Sequence, residues 1–324
     1  MSTPTLGGPV RVLVRQHRLP LRIAGGIALA TLLGMAALTL RSSRVTDVFA
    51  ASGCRVDGAD GNRACMQIAR NYLDSMATYD HLLGDVAVLL VALPVLLSAF
   101  VAGPLIAREL ESGTYKVSWT QSVSPARWLV AKLAVPAVLL MAGTAALSSA
   151  LLWARSSSDN PYAFEWYTWQ AFATTGTLPF AYLVFSLCVG ALTGLLMRRT
   201  VLALTVSAFV TGAVITAFTY LRGGLWPPRT LSGRTLDVAS GIWWVEVGDL
   251  DSSGKRLPPD LCSAAGSEAA RLRCVTDHDI TSHYLDYHPA SHFWPLQLVE
   301  TGILLALAAL ALALAFRVLR RRHG

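Results

Sequence analysis

Six stretches of the chain contain no Asp, Glu, Lys or Arg: 23–40, 86–107, 133–154, 171–197, 200–221 and 301–316. The last reaches back to 293 if one glutamate is tolerated. A helix rises about 1.5 Å per residue, so roughly 20 apolar residues cross the hydrocarbon layer of a bilayer. Lipid offers the backbone no hydrogen-bond partner, which leaves helices or a closed barrel. The runs are continuously apolar, whereas barrel strands alternate apolar and polar residues. Buried helices of soluble proteins are shorter and amphipathic. The prediction is an all-α membrane protein with six transmembrane helices. Composition agrees: charged residues make up 15% of 324 positions, against roughly 25% in an average soluble chain.

The net charge of +7 raises the question of nucleic acid, which requires a solvated basic face. The bases instead follow a topology. With both termini cytoplasmic, the inner segments are 1–22, 108–132, 198–199 and 317–324. These hold 14 bases against two acids, Glu109 and Glu111. The outer segments hold 13 bases and 16 acids, and Asp85 and Glu300 stand at span ends. Short, base-rich inner segments are what the positive-inside rule expects, and the long 222–292 loop counts for little. No nucleic-acid partner is expected, and the lipid membrane is. Residues 1–22 read equally as an interfacial helix or a basic tail. Helices one to five fill 23–221, an outer loop spans 222–292, and helix six covers 293–316 before a basic tail at 317–324. Val48-Phe49-Ala50 resembles a leader cleavage site. The preceding apolar run exceeds the roughly 7–15 residues of a signal core, so it reads as a retained span.

Cysteine placement fits this topology. Cys54 and Cys65 fall in the first outer loop, Cys262 and Cys274 in the last, and Cys188 inside a span. Two close pairs outside the membrane read as disulfides. Neither has the C-x-x-C spacing of a zinc site. Cys188 reads as a small packing residue. Asp277, His278, Asp279, His283, His288 and His292 form a His-rich stretch, but the spacing and Pro289 do not gather imidazoles on one helical face. It reads as a solvated loop, with no metal.

In the first outer loop, 41–81, helix is expected around 64–76. In the last, 242–247 reads as a strand and 251–254 as a turn into a second strand. Tyr162, Phe164, Trp166, Tyr167 and Trp169 read as an interfacial aromatic belt. Gly190 and Gly194 form a small-xxx-small motif for close helix contact. Pro94, Pro136 and Pro179 read as kinks in spans two, three and four.

The chain has no G-x-x-x-x-G-K-[ST], no H-E-x-x-H and no G-x-S-x-G. It therefore lacks the common nucleotide-phosphate, metalloprotease and hydrolase signatures. No span carries an ionisable residue near its centre, which disfavours ion coupling. Asp85 and Glu300 read as solvated at the outer ends of their spans. No catalytic, cofactor-binding or metal residue is assigned. Any energy for work then comes from another chain.

The inner segment after span two is the most informative. Its helix should continue through Glu111 and stop at Gly113, a favourable left-handed terminator. Thr114–Gln121 carries Tyr115, Val117 and Trp119, and Ser124-Pro125 supplies a cap and first-turn proline for the next helix. A short amphipathic piece between two long helices invites a protein partner, or rests in the headgroups.

The run Arg-Glu-Leu-Glu-Ser-Gly-Thr at 108–114, Trp119-Thr-Gln-Ser-Val-Ser and Arg127-Trp128, with Lys132 beyond, resembles the permease subunits of type-2 ABC transporters, especially those of actinobacteria. Tyr287 to Trp294, then Gln297-Leu-Val-Glu-Thr-Gly302, also match, as does the six-span layout. The resemblance implies a bacterial cell-membrane location and a separate ABC ATPase subunit that carries ATP and Mg. It implies a second permease subunit as well, forming a homodimer. It implies that Glu109, Glu111, Gly113, Thr114, Trp119 and Gln121 belong to the element that docks on the ATPase, with the two glutamates meeting its bases. The resulting expectation is the non-enzymatic membrane subunit of an exporter for a hydrophobic or amphipathic compound. A membrane sensor or assembly protein presenting 222–292 is the alternative.

Overall fold

The computed structural model describes residues 18–56, 62–114, 125–157, 161–162, 165–258, 261–262 and 266–323. Its helices are α1 (Arg18–Ala51), α2 (Arg63–Leu97), α3 (Gly103–Ser112), α4 (Pro125–Ser156), α5 (Trp169–Thr174), α6 (Leu178–Met197), α7 (Thr200–Leu221), α8 (Glu268–Asp277) and α9 (Phe293–His323). Among the described residues three strands accompany them, β1 (Arg229–Gly233), β2 (Trp243–Asp251) and β3 (Ile280–His288). Six helical segments among the described residues are long and apolar enough to cross a membrane, one for each uncharged run. The chain divides into two compact units. One comprises Met1–Phe164, Trp169–Thr216 and Thr301–Gly324, and the other Glu165–Thr168 and Ala217–Glu300.

In the helical unit, the helices outrun the uncharged stretches. Charge limits what lipid accepts but does not end a helix. Thus α1 continues through Arg41, Arg44 and Asp47 until Gly53 turns the chain at φ +70°. Asn62 caps α2, its side chain accepting from the Ala64 N–H at 2.9 Å. Most of the loop expected over 41–81 is therefore helical, and the Cys54–Cys65 disulfide joins the ends of α1 and α2. A buried network ties α1, α2 and α4: the Tyr79 hydroxyl donates to the Ala154 carbonyl at 2.7 Å and meets the Thr39 hydroxyl at 3.2 Å.

The expected fourth span, 171–197, is interrupted. Gly176 takes φ +67° between α5 and α6. Pro179 lies in the first turn of α6, where its missing N–H costs nothing. It is a helix start and not a kink. Fifteen of the twenty residues of α6 are buried, as an all-round apolar helix requires. Its Gly190 and Gly194 face α3. A Cβ on Gly190 would lie 2.5 Å from the Ala102 Cβ, and one on Gly194 2.8 Å from the Gly103 carbonyl. Between α2 and α3 the chain makes a π-turn, Ser98–Ala102, with the Gly103 N–H reaching the Ser98 carbonyl. Pro104, which has no N–H to donate, follows directly. The Ser98 carbonyl also accepts from the Ser207 hydroxyl of α7 at 2.8 Å.

In the other unit the sheet order is β1-β3-β2, all antiparallel. The turn at 251–254 forms, but it leads only to an isolated bridge between Leu250 and Arg256. The partner of β2 is β3, which occupies the stretch expected to be a solvated His-rich loop. Its first half alternates between half-buried and exposed positions, but Tyr284, Leu285 and Asp286 are buried in succession, so no clean alternation marked it as a strand. Cys262 and Cys274 are disulfide-bonded and anchor α8. Trp166 and Tyr167 are not simply a belt. The Trp166 indole donates to the Gly241 carbonyl at 2.8 Å, and Tyr167 stacks on Trp243.

Candidate functional site

The end of α3 is where the helical unit concentrates its polar geometry. Gly113 terminates the helix at φ +74°, a backbone region that costs a side chain but not glycine. Thr114 meets the Ser112 hydroxyl at 2.9 Å. Trp119 and Gln121 lie outside the described residues.

The two acids are engaged within the chain. Glu109 accepts a hydrogen bond from the Trp128 indole at 3.0 Å and pairs with Lys132. Trp128 and Lys132 are one turn apart on α4, so they share a face. Glu111 accepts from both the backbone N–H and the hydroxyl of Thr200, at 2.9 and 2.6 Å. It thereby supplies, from another helix, the capping acceptor that the first turn of α7 needs. Within the chain these two glutamates have a structural role of their own. They bolt the end of α3 to α4 and α7. Beneath them Ile106, Trp128, Leu129, Ala191, Leu195, Ala315 and Leu319 form one buried cluster. Arg108, Arg198 and Arg199 are exposed around it, and Arg198 adopts φ +53° in the tight turn between α6 and α7.

The sheet-bearing unit holds a second polar centre that the sequence reading missed. Glu300 is fully buried, and Arg222 donates to it through Nε at 2.7 Å and Nη2 at 3.1 Å. Solvation by headgroups, expected for Glu300, is replaced by an ion pair. The signal was available: one lone base follows the fifth apolar run, and one lone acid precedes the sixth. Asp85, by contrast, is exposed on α2. His288 is buried, with Nε2 3.0 Å from the Gly223 carbonyl and Nδ1 3.0 Å from His292 Nδ1. A carbonyl only accepts, so His288 carries its proton on Nε2. The two Nδ1 atoms face each other across a single hydrogen bond. Cys262, Cys274 and His278 come together, but the disulfide consumes both thiolates that a metal would need.

Among the described residues, six long apolar helices, α6 the most buried of them, with a small sheet before the last in the chain, define a multi-pass membrane protein. The family described as ABC-2 membrane transporter related matches residues 27–222. The chain belongs to this family of membrane transport components. The match runs from α1 to the end of α7 and excludes the sheet. No curated protein and no solved structure matches the chain.

Proposed function

We propose that this chain is the permease subunit of an ATP-driven exporter of a hydrophobic or amphipathic compound. A separate ABC ATPase supplies the energy, and a second permease copy completes the transport path. Both termini and the 108–132 segment face the cytoplasm, and 222–292 faces outward. Family membership and the missing P-loop support a partner ATPase. The observation that carries the reading is the bolting of α3. A push on the chain just beyond Gly113 is passed to α4 through Glu109, and to α7 through Glu111, without slack.

The test is reconstitution of the permease with its ATPase, measuring ATP hydrolysis and transport together. Glu109→Ala with Glu111→Ala should uncouple them, leaving hydrolysis that no longer drives transport. If the variant transports at the wild-type rate per ATP, the coupling role is lost. The compact, disulfide-anchored sheet unit favours one second reading, a sensor that displays 222–292. Failure of any ATPase to co-purify would favour it.

A further inference from the structure

The hairpin of α1 and α2 carries a groove of about 750 Å³. Its walls are mostly apolar, with Leu40 and Val48 from α1 and Ile68 and Tyr72 from α2. Phe49 stacks on Tyr72 with ring centroids 4.2 Å apart. Two cations line it, Arg41 and Arg44, and no carboxylate does. Both arginines are exposed, and neither has an ion pair among the described residues. Asp74 lines a smaller neighbouring cavity that shares Arg41, and Asp47 lines neither.

The groove is preformed. The Cys54–Cys65 disulfide pins one end of the hairpin, and the Thr39–Tyr79–Ala154 network fixes it lower down. Arg41 immediately follows the uncharged run 23–40, so the two guanidinium groups stand where membrane gives way to water. Phosphate headgroups are the anions available there. Arg44 is one helical turn from Arg41, which puts both forks on one side of α1. Paired guanidinium forks match phosphate oxygens. A purely apolar occupant would leave two cations desolvated without a counter-charge. A second copy of the same face would set arginine against arginine.

We propose that the groove between α1 and α2 binds an anionic phospholipid, its phosphate held by Arg41 and Arg44 and an acyl chain laid along Leu40, Val48, Ile68 and Tyr72. This does not rest on the exporter reading, and its test uses no ATPase. The full chain in mild detergent is titrated with dioleoyl phosphatidylglycerol, with dioleoyl phosphatidylcholine, and with glycerol 1-phosphate, and bound species are counted by native mass spectrometry. Phosphatidylglycerol should bind about tenfold more tightly than phosphatidylcholine, and Arg41→Gln with Arg44→Gln should remove that preference. Arg70→Gln, on the same hairpin but off the groove, should leave it intact. Ala37→Trp, which fills the groove, should weaken both lipids. Glycerol 1-phosphate, lacking chains, should not compete. The proposal is overturned by equal binding of the two lipids, by equal effects of the groove and Arg70 variants, or by competition from glycerol 1-phosphate. It is equally overturned by a dimer that Ala37→Trp dissociates.

Discussion

Replacing Glu300 by alanine tests the physical logic of the sheet-bearing unit. Glu300 is 0% and Arg222 2% exposed, joined by two hydrogen bonds of 2.7 and 3.1 Å. Glu300→Ala removes the carboxylate and leaves the guanidinium buried beside a methyl group. Cutting one end of a buried pair costs about 3–5 kcal/mol, whereas replacing both ends by apolar side chains of similar volume is close to neutral. Glu300→Ala should therefore lose about 3–5 kcal/mol, and Arg222→Met with Glu300→Leu should return to within about 1 kcal/mol of wild type. The assay is equilibrium unfolding of the full chain in mixed micelles, followed by tryptophan fluorescence. Trp166 and Trp243 lie in the same unit and in edge-to-face contact. A double variant as unstable as Glu300→Ala would refute the reasoning, because the loss would then not come from a stranded charge. So would a Glu300→Ala protein of wild-type stability.

Gly190→Leu should destabilise the helical unit by about 1–3 kcal/mol in the same assay, since overpacking forces helices apart; here the new Cβ meets Ala102 and the Gly103 backbone. Wild-type stability would mean that α3 and α6 are not held at this distance. Asp286 accepts two hydrogen bonds from Arg256 at 2.6 and 2.9 Å and one from Thr230. The Arg256 guanidinium holds its carboxyl below the usual aspartate range. A depressed carboxyl stabilises the fold above its unfolded value and loses that contribution as pH falls through its folded value. The stability gap between wild type and Asp286→Asn should therefore be full at neutral pH and shrink below pH ~4. Unfolding midpoints of both proteins at neutral and acid pH measure it, and a gap that does not shrink would remove Asp286 as the cause.

The legible parts of the fold were those set by local chemistry. Uncharged runs located the six membrane-crossing segments because exclusion of charge from lipid is a property of each run by itself. Gly113 announced the end of α3 because only glycine takes that conformation cheaply. Helix ends in water were less legible. Arg41, Arg44 and Asp47 are acceptable to a helix even though they end the apolar pattern. The break at Gly176 was hidden in an apolar run because neither glycine nor proline changes hydropathy. The strand at Ile280–His288 was misread because His283, Asp286 and His288 give it a polar composition, and its buried run Tyr284–Asp286 breaks any simple alternation.

The partners of the charges were not legible. Glu109 and Glu111 are two residues apart, so on a helix they point in different directions. Only the packing of α4 and α7 on either side of α3 shows that one meets Trp128 and Lys132 and the other caps Thr200. Glu300 and Arg222 are 78 residues apart, and nothing local says that they meet. Sequence alone determined that this chain lives in a membrane, which stretches of it are apolar enough to cross and which family it resembles, because transfer into lipid is summed residue by residue. Tertiary structure decided which charges are buried in pairs, which bolt helices together and which stand open in a groove. Those outcomes depend on distances between residues far apart in the chain, and a sum over residues contains no distances.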